Sequence, residues 1–161
     1  MSLARLKEFL DSNHIKYVTI SHSLAYTAQG IAALTHTPGK ELAKTVIVKI
    51  DGKLAMAVVP ASAHVGLSLL KTAIGAKTVE LASETEFKDR FPDCETGAMP
   101  PFGNLYGLGV FADASLTHDS EIAFNAGSHR ELMRLSWSDF ERLAQPQVLP
   151  LAVGRAAESA A

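Results

Sequence analysis

The stretch that most constrains this chain is residues 41–60. Glu41 to Ile50 and Lys53 to Pro60 are rich in β-branched and apolar residues, and Asp51-Gly52 joins them. Asp and Gly tolerate the positive φ of a two-residue type I′ turn, so the sequence predicts a tight β-hairpin. The two-residue loop sets the register: Ile50 opposite Lys53, Val48 opposite Ala55, Val46 opposite Ala57 and Lys44 opposite Val59. Alternation then puts Lys44 on one face with Val46, Val48, Ile50, Ala55, Ala57 and Val59, while Ile47, Met56 and Val58 take the other. Large apolar groups on both faces suit a central strand pair covered from both sides. A lysine at the rim of such a face has two readings. Its stem covers apolar surface while the ammonium stays in water, or the ammonium is partly desolvated and holds a phosphate, a carboxylate or a developing oxyanion. Periodicity does not choose between them.

The 161 residues suffice for one domain with a real core. A content of 47% hydrophobic and 20% charged residues is that of a soluble globular protein. With 15 basic and 17 acidic side chains, the chain has no global attraction to nucleic acid or anionic membrane, so any RNA contact must be local. Lys40, Lys44, Lys49 and Lys53 cluster around the hairpin and are candidates for one, although a solvated face also explains their spacing. Cys94 is the only cysteine, which excludes an intrachain disulfide and suggests a reducing, cytoplasmic setting. The N-terminus lacks a signal-peptide apolar core, and no run approaches the ~20 apolar residues of a membrane span, so no membrane partner is expected.

Along the chain, residues 2–12 read as an amphipathic helix through Leu3, Leu6, Phe9 and Leu10, and Tyr17 to Ile20 as a short strand. Thr27 is placed to cap a helix through Ile31 and Leu34. Residues 63–73 read as a helix ended by Gly75. Thr78 to Leu81 is a weak strand, and Ser83-x-x-Glu86 is a capping box for a short helix through Arg90. From Pro92 to Gly109, four glycines and three prolines mark an irregular segment of the kind that carries function. Val110 to Asp113, Glu121 to Asn125 and Leu132 to Leu135 read as strands, with a turn at Ala126-Gly127-Ser128. Ser136-x-x-Asp139 opens a last helix that Pro146 ends. The expected architecture is an α+β domain over residues 1–150, a mixed sheet curled toward a barrel with helices around it, followed by a flexible tail over 151–161.

Six histidines show no metal-ligand spacing. No Walker loop, dinucleotide fingerprint or Gly-x-Ser-x-Gly elbow is present. Cys94 has no evident base beside it. What remains is Lys44 and the loop Gly97-Ala98-Met99-Pro100-Pro101-Phe102-Gly103. Glycines let a substrate approach the main chain, and prolines fix the loop so that its N–H groups stay aimed. The alternative is a tight structural turn that packs Met99 and Phe102 into the core.

Ala43-Lys44-Thr45-Val46, the hairpin ending Val59-Pro60-Ala61, Gly97-x-x-x-Pro101 continuing into Phe102-Gly103, Asp113-x-Ser115-Leu116 and Phe124-Asn125-Ala126-Gly127 occur in this order. Over roughly residues 15–145 the chain resembles the YbaK-like editing domains, aminoacyl-tRNA deacylases also found inserted in bacterial prolyl-tRNA synthetases. The resemblance implies that Lys44 is the essential lysine and that Gly97 to Pro101 is the substrate-positioning loop, which makes Lys44, Gly97 and Pro101 the catalytic candidates. It implies hydrolysis of the ester at the tRNA 3′ end without metal or organic cofactor, by a free-standing, trans-acting member. The partners expected are an aminoacyl-tRNA and, transiently, an aminoacyl-tRNA synthetase. Substrate-binding candidates are His22, Tyr26, Thr27, Thr45, Ala98, Met99, Pro100, Phe102, Gly103, Asn125, Gly127, Ser128 and His129. The expected substrate is tRNA-Pro carrying a small non-cognate amino acid such as Ala, or Cys. Bulky Met99 and the double proline are expected to reshape the amino-acid pocket. Two other classes stay open: a non-catalytic module that binds a tRNA end, a nucleotide or a protein, and a hydrolase using Cys94 or Ser128 beside His22 or His129.

Overall fold

The computed structural model describes residues 2–21 and 42–154. Helix α1 (Ser2–Ser12) buries Leu6 and Leu10 completely. The left-handed His14 turns the chain into strand β1 (Tyr17–Ser21). Strands β2 (Ala43–Ile50) and β3 (Lys53–Pro60) form the expected hairpin, with Lys44 opposite Val59, Val46 opposite Ala57, Val48 opposite Ala55 and Ile50 opposite Lys53. Asp51 and Gly52 have φ of 50° and 84°, the positive values a type I′ turn requires. The Asp51 carboxylate also accepts the N–H groups of Lys77 and Thr78 at 2.8 and 2.9 Å, which ties the turn to the following strand.

The chain continues through β4 (His64–Val65), α2 (Leu67–Ile74), β5 (Val79–Leu81) and α3 (Glu84–Phe87). It then runs through β6 (Gly109–Asp113), β7 (Glu121–Asn125), β8 (Glu131–Ser136), α4 (Trp137–Ala144), β9 (Gln147–Leu149) and β10 (Ala152–Val153). The five-stranded sheet has the order β5-β2-β3-β6-β9, parallel at β3-β6 and β6-β9 and antiparallel elsewhere. The antiparallel sheet β1-β8-β7 stands beside it, joined at a parallel bridge between Leu42 and Ala123. The α+β class and the mixed, partly barrel-like sheet follow the sequence reading, the strands being divided among the five-stranded sheet, the β1-β8-β7 sheet and a β4-β10 pair. No helix among the described residues is long and apolar enough to cross a membrane.

Both faces of the hairpin are covered. Ala43, Ile47, Met56 and Val58 join the main core with Leu6, Leu10, Phe102, Phe124 and Phe140. Val48, Ala55, Ala57 and Val59 pack beneath α2, against Leu70 and Leu151. Burying each such side chain stabilises the fold by about 1.5–3 kcal/mol. The Ser83/Glu86 capping box forms with both of its hydrogen bonds.

The helix expected over 63–73 starts later. His64 and Val65 instead pair with Val153 and Ala152, and Gly66 donates its N–H to the Leu151 carbonyl at 2.7 Å. The chain is therefore still built into the fold beyond residue 150, where the sequence suggested a tail: Leu151 is fully buried. Asp113, 5% exposed, secures this segment. Its Oδ1 accepts the N–H groups of Leu151 and Ala152, both at 2.9 Å, while Oδ2 accepts the N–H of Ser115 at 3.0 Å and the Ser115 hydroxyl.

Candidate active site

The candidate site begins where β2 and β7 part. Leu42 and Ala123 are bridged in parallel, and Ala61 donates its N–H to the Leu42 carbonyl at 2.7 Å. Side chains alternate, so two residues further along each strand Lys44 and Asn125 stand on the face of Leu42 and Ala123. Thr45 and Ala126 take the opposite face, and Ala126 joins the main core there. Lys44 is half-buried at the strand's start, between apolar neighbours and solvent. The Thr45 Oγ1 and Asn125 Oδ1 atoms are buried and find no hydrogen-bond partner among the described residues. Each such atom calls for a partner from outside these residues, such as an ordered water or a bound group.

Two loops close on this point. Residues 95–98 form a turn in which Ala98 donates to the Glu95 carbonyl at 3.0 Å, and Gly97 takes the φ of +85° that the turn needs. This turn is clasped to the β7-β8 loop: Glu95 N–H reaches the Gly127 carbonyl at 2.8 Å, and Gly127 N–H reaches the Ala98 carbonyl at 2.9 Å. Glu95 Oε1 accepts the His129 N–H at 2.6 Å, and the ring Nε2 of His129 lies 2.8 Å from the Thr96 carbonyl. A carbonyl only accepts, so this Nε2 carries a proton. His129 is 6% exposed, held as part of the clasp.

The structure thus brings together Gly97, Ala98, Gly127, Ser128 and His129, with Asn125 reached through β7 and Lys44 and Thr45 through β2. It treats the rest of the Gly/Pro loop differently. Met99, Pro100, Pro101, Phe102 and Gly103 are buried. Phe102 sits among Phe9, Phe124 and Phe140 with ring centroids 6.0, 5.7 and 5.3 Å away. A Cβ on Gly103 would lie 2.5 Å from the Leu108 carbonyl oxygen, so close packing alone accounts for that glycine. His22, Tyr26 and Thr27 lie outside the described residues. Sequence reasoning missed Glu95 and Thr96, which carry much of the clasp; their position inside the Gly/Pro-rich segment was the one available signal.

Cys94 places its thiol 3.4 Å from the Tyr106 hydroxyl. Burial, reinforced by the neighbouring thiol, pushes the Tyr106 phenol well above its ordinary pKa, so it remains a neutral hydrogen-bonding group. A Cys-His or Ser-His dyad acting through Nε2 of His129 would need that nitrogen to face a nucleophile, and here it faces the Thr96 carbonyl. Among the described residues, no three His, Cys, Asp or Glu side chains are grouped to hold a metal ion.

The model of the aminoacyl-tRNA editing domain family matches residues 22–143, a span that includes Lys44, both loops and the clasp. The chain belongs to this family. This editing domain is an aminoacyl-tRNA deacylase. It is 29% identical over 150 residues to the multifunctional Ser/Thr-tRNA deacylase ProXp-y of Escherichia coli K12, covering 90% of this chain and 89% of that one. It is also 29% identical over 102 residues to a proline–tRNA ligase of Bacillus mycoides, of which the match spans 18%. Among solved structures, a protein proposed to be a trans-editing enzyme for prolyl tRNA synthetase superposes with a TM-score of 0.81 at 21% identity, over 95% of this chain and 98% of the other. Hypothetical protein APE2540 gives 0.82 at 19%, over 92% and 99%. At these identities the structural likeness establishes the fold.

Proposed function

We propose that this editing domain acts in trans on tRNA-Pro charged with a small non-cognate amino acid, with Lys44 as its principal electrostatic group. The supporting observation is the convergence of Lys44 and Asn125 on one face, with two clasped loops just beyond Asn125 and an unmatched polar atom on Asn125 itself. An aminoacyl ester is already activated, so catalysis consists mainly of positioning and charge stabilisation. Water adds to the ester carbonyl carbon and gives a tetrahedral oxyanion. Collapse breaks the bond to the ribose oxygen, which leaves with a proton, and the products are the free amino acid and uncharged tRNA. In this reading the Lys44 ammonium holds the terminal phosphate or the developing oxyanion. Main-chain groups at Gly97 hold the ester and water, and Pro101 stiffens the loop behind them. Asn125 Oδ1 is suited to accept from the substrate α-ammonium, and Gly127, Ser128 and His129 shape the wall beside it.

A second substrate reading, an amino acid with its own side-chain hydroxyl, is favoured by the Escherichia coli relative, which is named for Ser and Thr. The match to a segment of a prolyl-tRNA ligase supports a transient complex with such a synthetase. The lone Cys94 supports a cytoplasmic setting.

The test is deacylation of Ala-, Cys-, Ser-, Thr- and Pro-tRNA-Pro by wild type and Lys44→Ala. Loss of one oxyanion stabiliser costs about 3 kcal/mol, so Lys44→Ala is expected to be at least roughly a hundredfold slower while retaining its fold. Full activity in that variant would overturn the assignment of Lys44. Hydrolysis of Pro-tRNA-Pro as fast as the others would overturn the editing specificity.

A further inference from the structure

The face of the five-stranded sheet that carries Lys44 holds a second feature at its other end. Helix α2 lies across this face, with Leu70 buried and Leu67 and Ile74 packed against the cluster of Val46, Val48 and Ile50. It ends in a Schellman turn: Gly75 has φ +68°, Ala76 donates to the Lys71 carbonyl at 3.1 Å and Gly75 to the Thr72 carbonyl at 3.4 Å. This reversal sets Lys71, in the last turn of α2, and Lys77, just ahead of β5, along one cleft of about 320 Å³. Its other polar lining is Ser68, Thr78 and Glu80.

Two lysines set the charge of this cleft. Glu80 is drawn to Lys49 at 3.2 Å, and Lys49 also binds Glu86, while the Asp51 carboxylate is occupied by two main-chain N–H groups. Lys71 and Lys77, with Lys53 at the hairpin tip, take part in no ion pair among the described residues. A chain of net charge −2 therefore carries a local basic cleft lined with two hydroxyls and without an aromatic platform. That chemistry suits the phosphates and ribose of a nucleic-acid backbone, which fix position, rather than the face of a base. Lys44 and Ile50, which pairs with Lys53, are six residues apart on β2, roughly 20 Å at the rise of an extended strand. The two ends of this face therefore reach different nucleotides.

We propose that the cleft between α2 and β5 binds backbone phosphates of the tRNA acceptor arm through Lys71 and Lys77, while Lys44 attends to the 3′ end. The identity of the RNA rests on the deacylase reading; the presence of a phosphate-binding cleft does not.

The experiment compares wild type, Lys71→Gln/Lys77→Gln and Lys71→Glu/Lys77→Glu on a mischarged tRNA and on the same aminoacyl ester carried by a short CCA oligonucleotide. Retention of uncharged tRNA on filters is measured alongside. The double variants are expected to raise KM for the tRNA roughly tenfold with kcat retained, to bind uncharged tRNA more weakly, and to leave hydrolysis of the short ester unchanged. The slope of log(kcat/KM) against log[salt] becomes shallower by about 2, close to one for each lysine. An unchanged KM and slope would overturn the proposal, and so would equal losses on the tRNA and the short ester. Should wild type hydrolyse neither substrate, the deacylase reading fails, and the uncharged-tRNA comparison decides the cleft by itself.

Discussion

Replacing Asp113 by Asn tests how the sheet, the C-terminal segment and α2 depend on one carboxylate. In the wild type its two oxygens accept four hydrogen bonds: from Leu151 and Ala152 on one side, and from the N–H and hydroxyl of Ser115 on the other. The best an asparagine can do is keep its oxygen toward Leu151 and Ala152 and turn its amide toward the Ser115 oxygen. The Ser115 N–H then loses its acceptor and the two remaining N–H bonds lose their charge assistance, for a cost of about 2–4 kcal/mol. For a chain of this length that lowers Tm by roughly 5–15 °C. The pH dependence gives the sharper signature. Burial by itself would raise the Asp113 pKa, but the Ser115 hydroxyl and the N–H groups of Leu151, Ala152 and Ser115 outweigh it and hold the carboxyl below its ordinary value. A depressed carboxyl contributes stability above the unfolded value of about 4 and loses it as pH falls through the lower folded value. Denaturant unfolding of wild type and variant is thus expected to show the full gap from pH 5 to 7, narrowing below about pH 4. A gap under ~1 kcal/mol at pH 7, or one that does not change with pH, would refute this account of Asp113.

Two loop substitutions separate packing from chemistry. Gly103→Ala sets a Cβ 2.5 Å from the Leu108 carbonyl and 2.7 Å from Val110 Cγ2, so urea unfolding is expected to show a loss of about 1–3 kcal/mol, with Gly109→Ala as a control where no atom comes within 4 Å. Phe102→Leu is expected to cost about 1–2 kcal/mol through lost edge-to-face contacts and to leave the ranking of mischarged tRNAs unchanged; a changed ranking in the deacylation panel would put Phe102 in the amino-acid pocket.

Much of the fold was legible because its signals are local. The hairpin register follows from Asp51-Gly52 and a period of two, and the cap of α3 follows from Ser83 and Glu86 alone. His64 and Val65 looked helical because their partners, Ala152 and Val153, lie in a stretch whose composition suggests a tail; a pairing across that distance leaves no local mark. The Asp113-x-Ser115 motif was visible, but its link to Leu151 was not. Lys44 stood out as a charge on an apolar face. The clasp of residues 95–98 onto the β7-β8 loop did not, because its main-chain bonds and the Glu95 and His129 side-chain links join segments some thirty residues apart in sequence. For Phe102 the local pattern was ambiguous between pocket and core, and only its ring of aromatic neighbours shows which contacts it makes.

The same clasp bears on how such a chain diverges. Glu95, Ala98 and Gly127 join the two loops through main-chain groups, and the Glu95 carboxylate and the His129 ring add side-chain links, while Gly97 and Ser128 sit alongside. The side chain at position 96, which is exposed and meets the clasp through its carbonyl, can be exchanged over generations without moving the loops. In the site proposed above, a descendant of this chain can then change its amino-acid preference by single codon changes while inheriting the same frame.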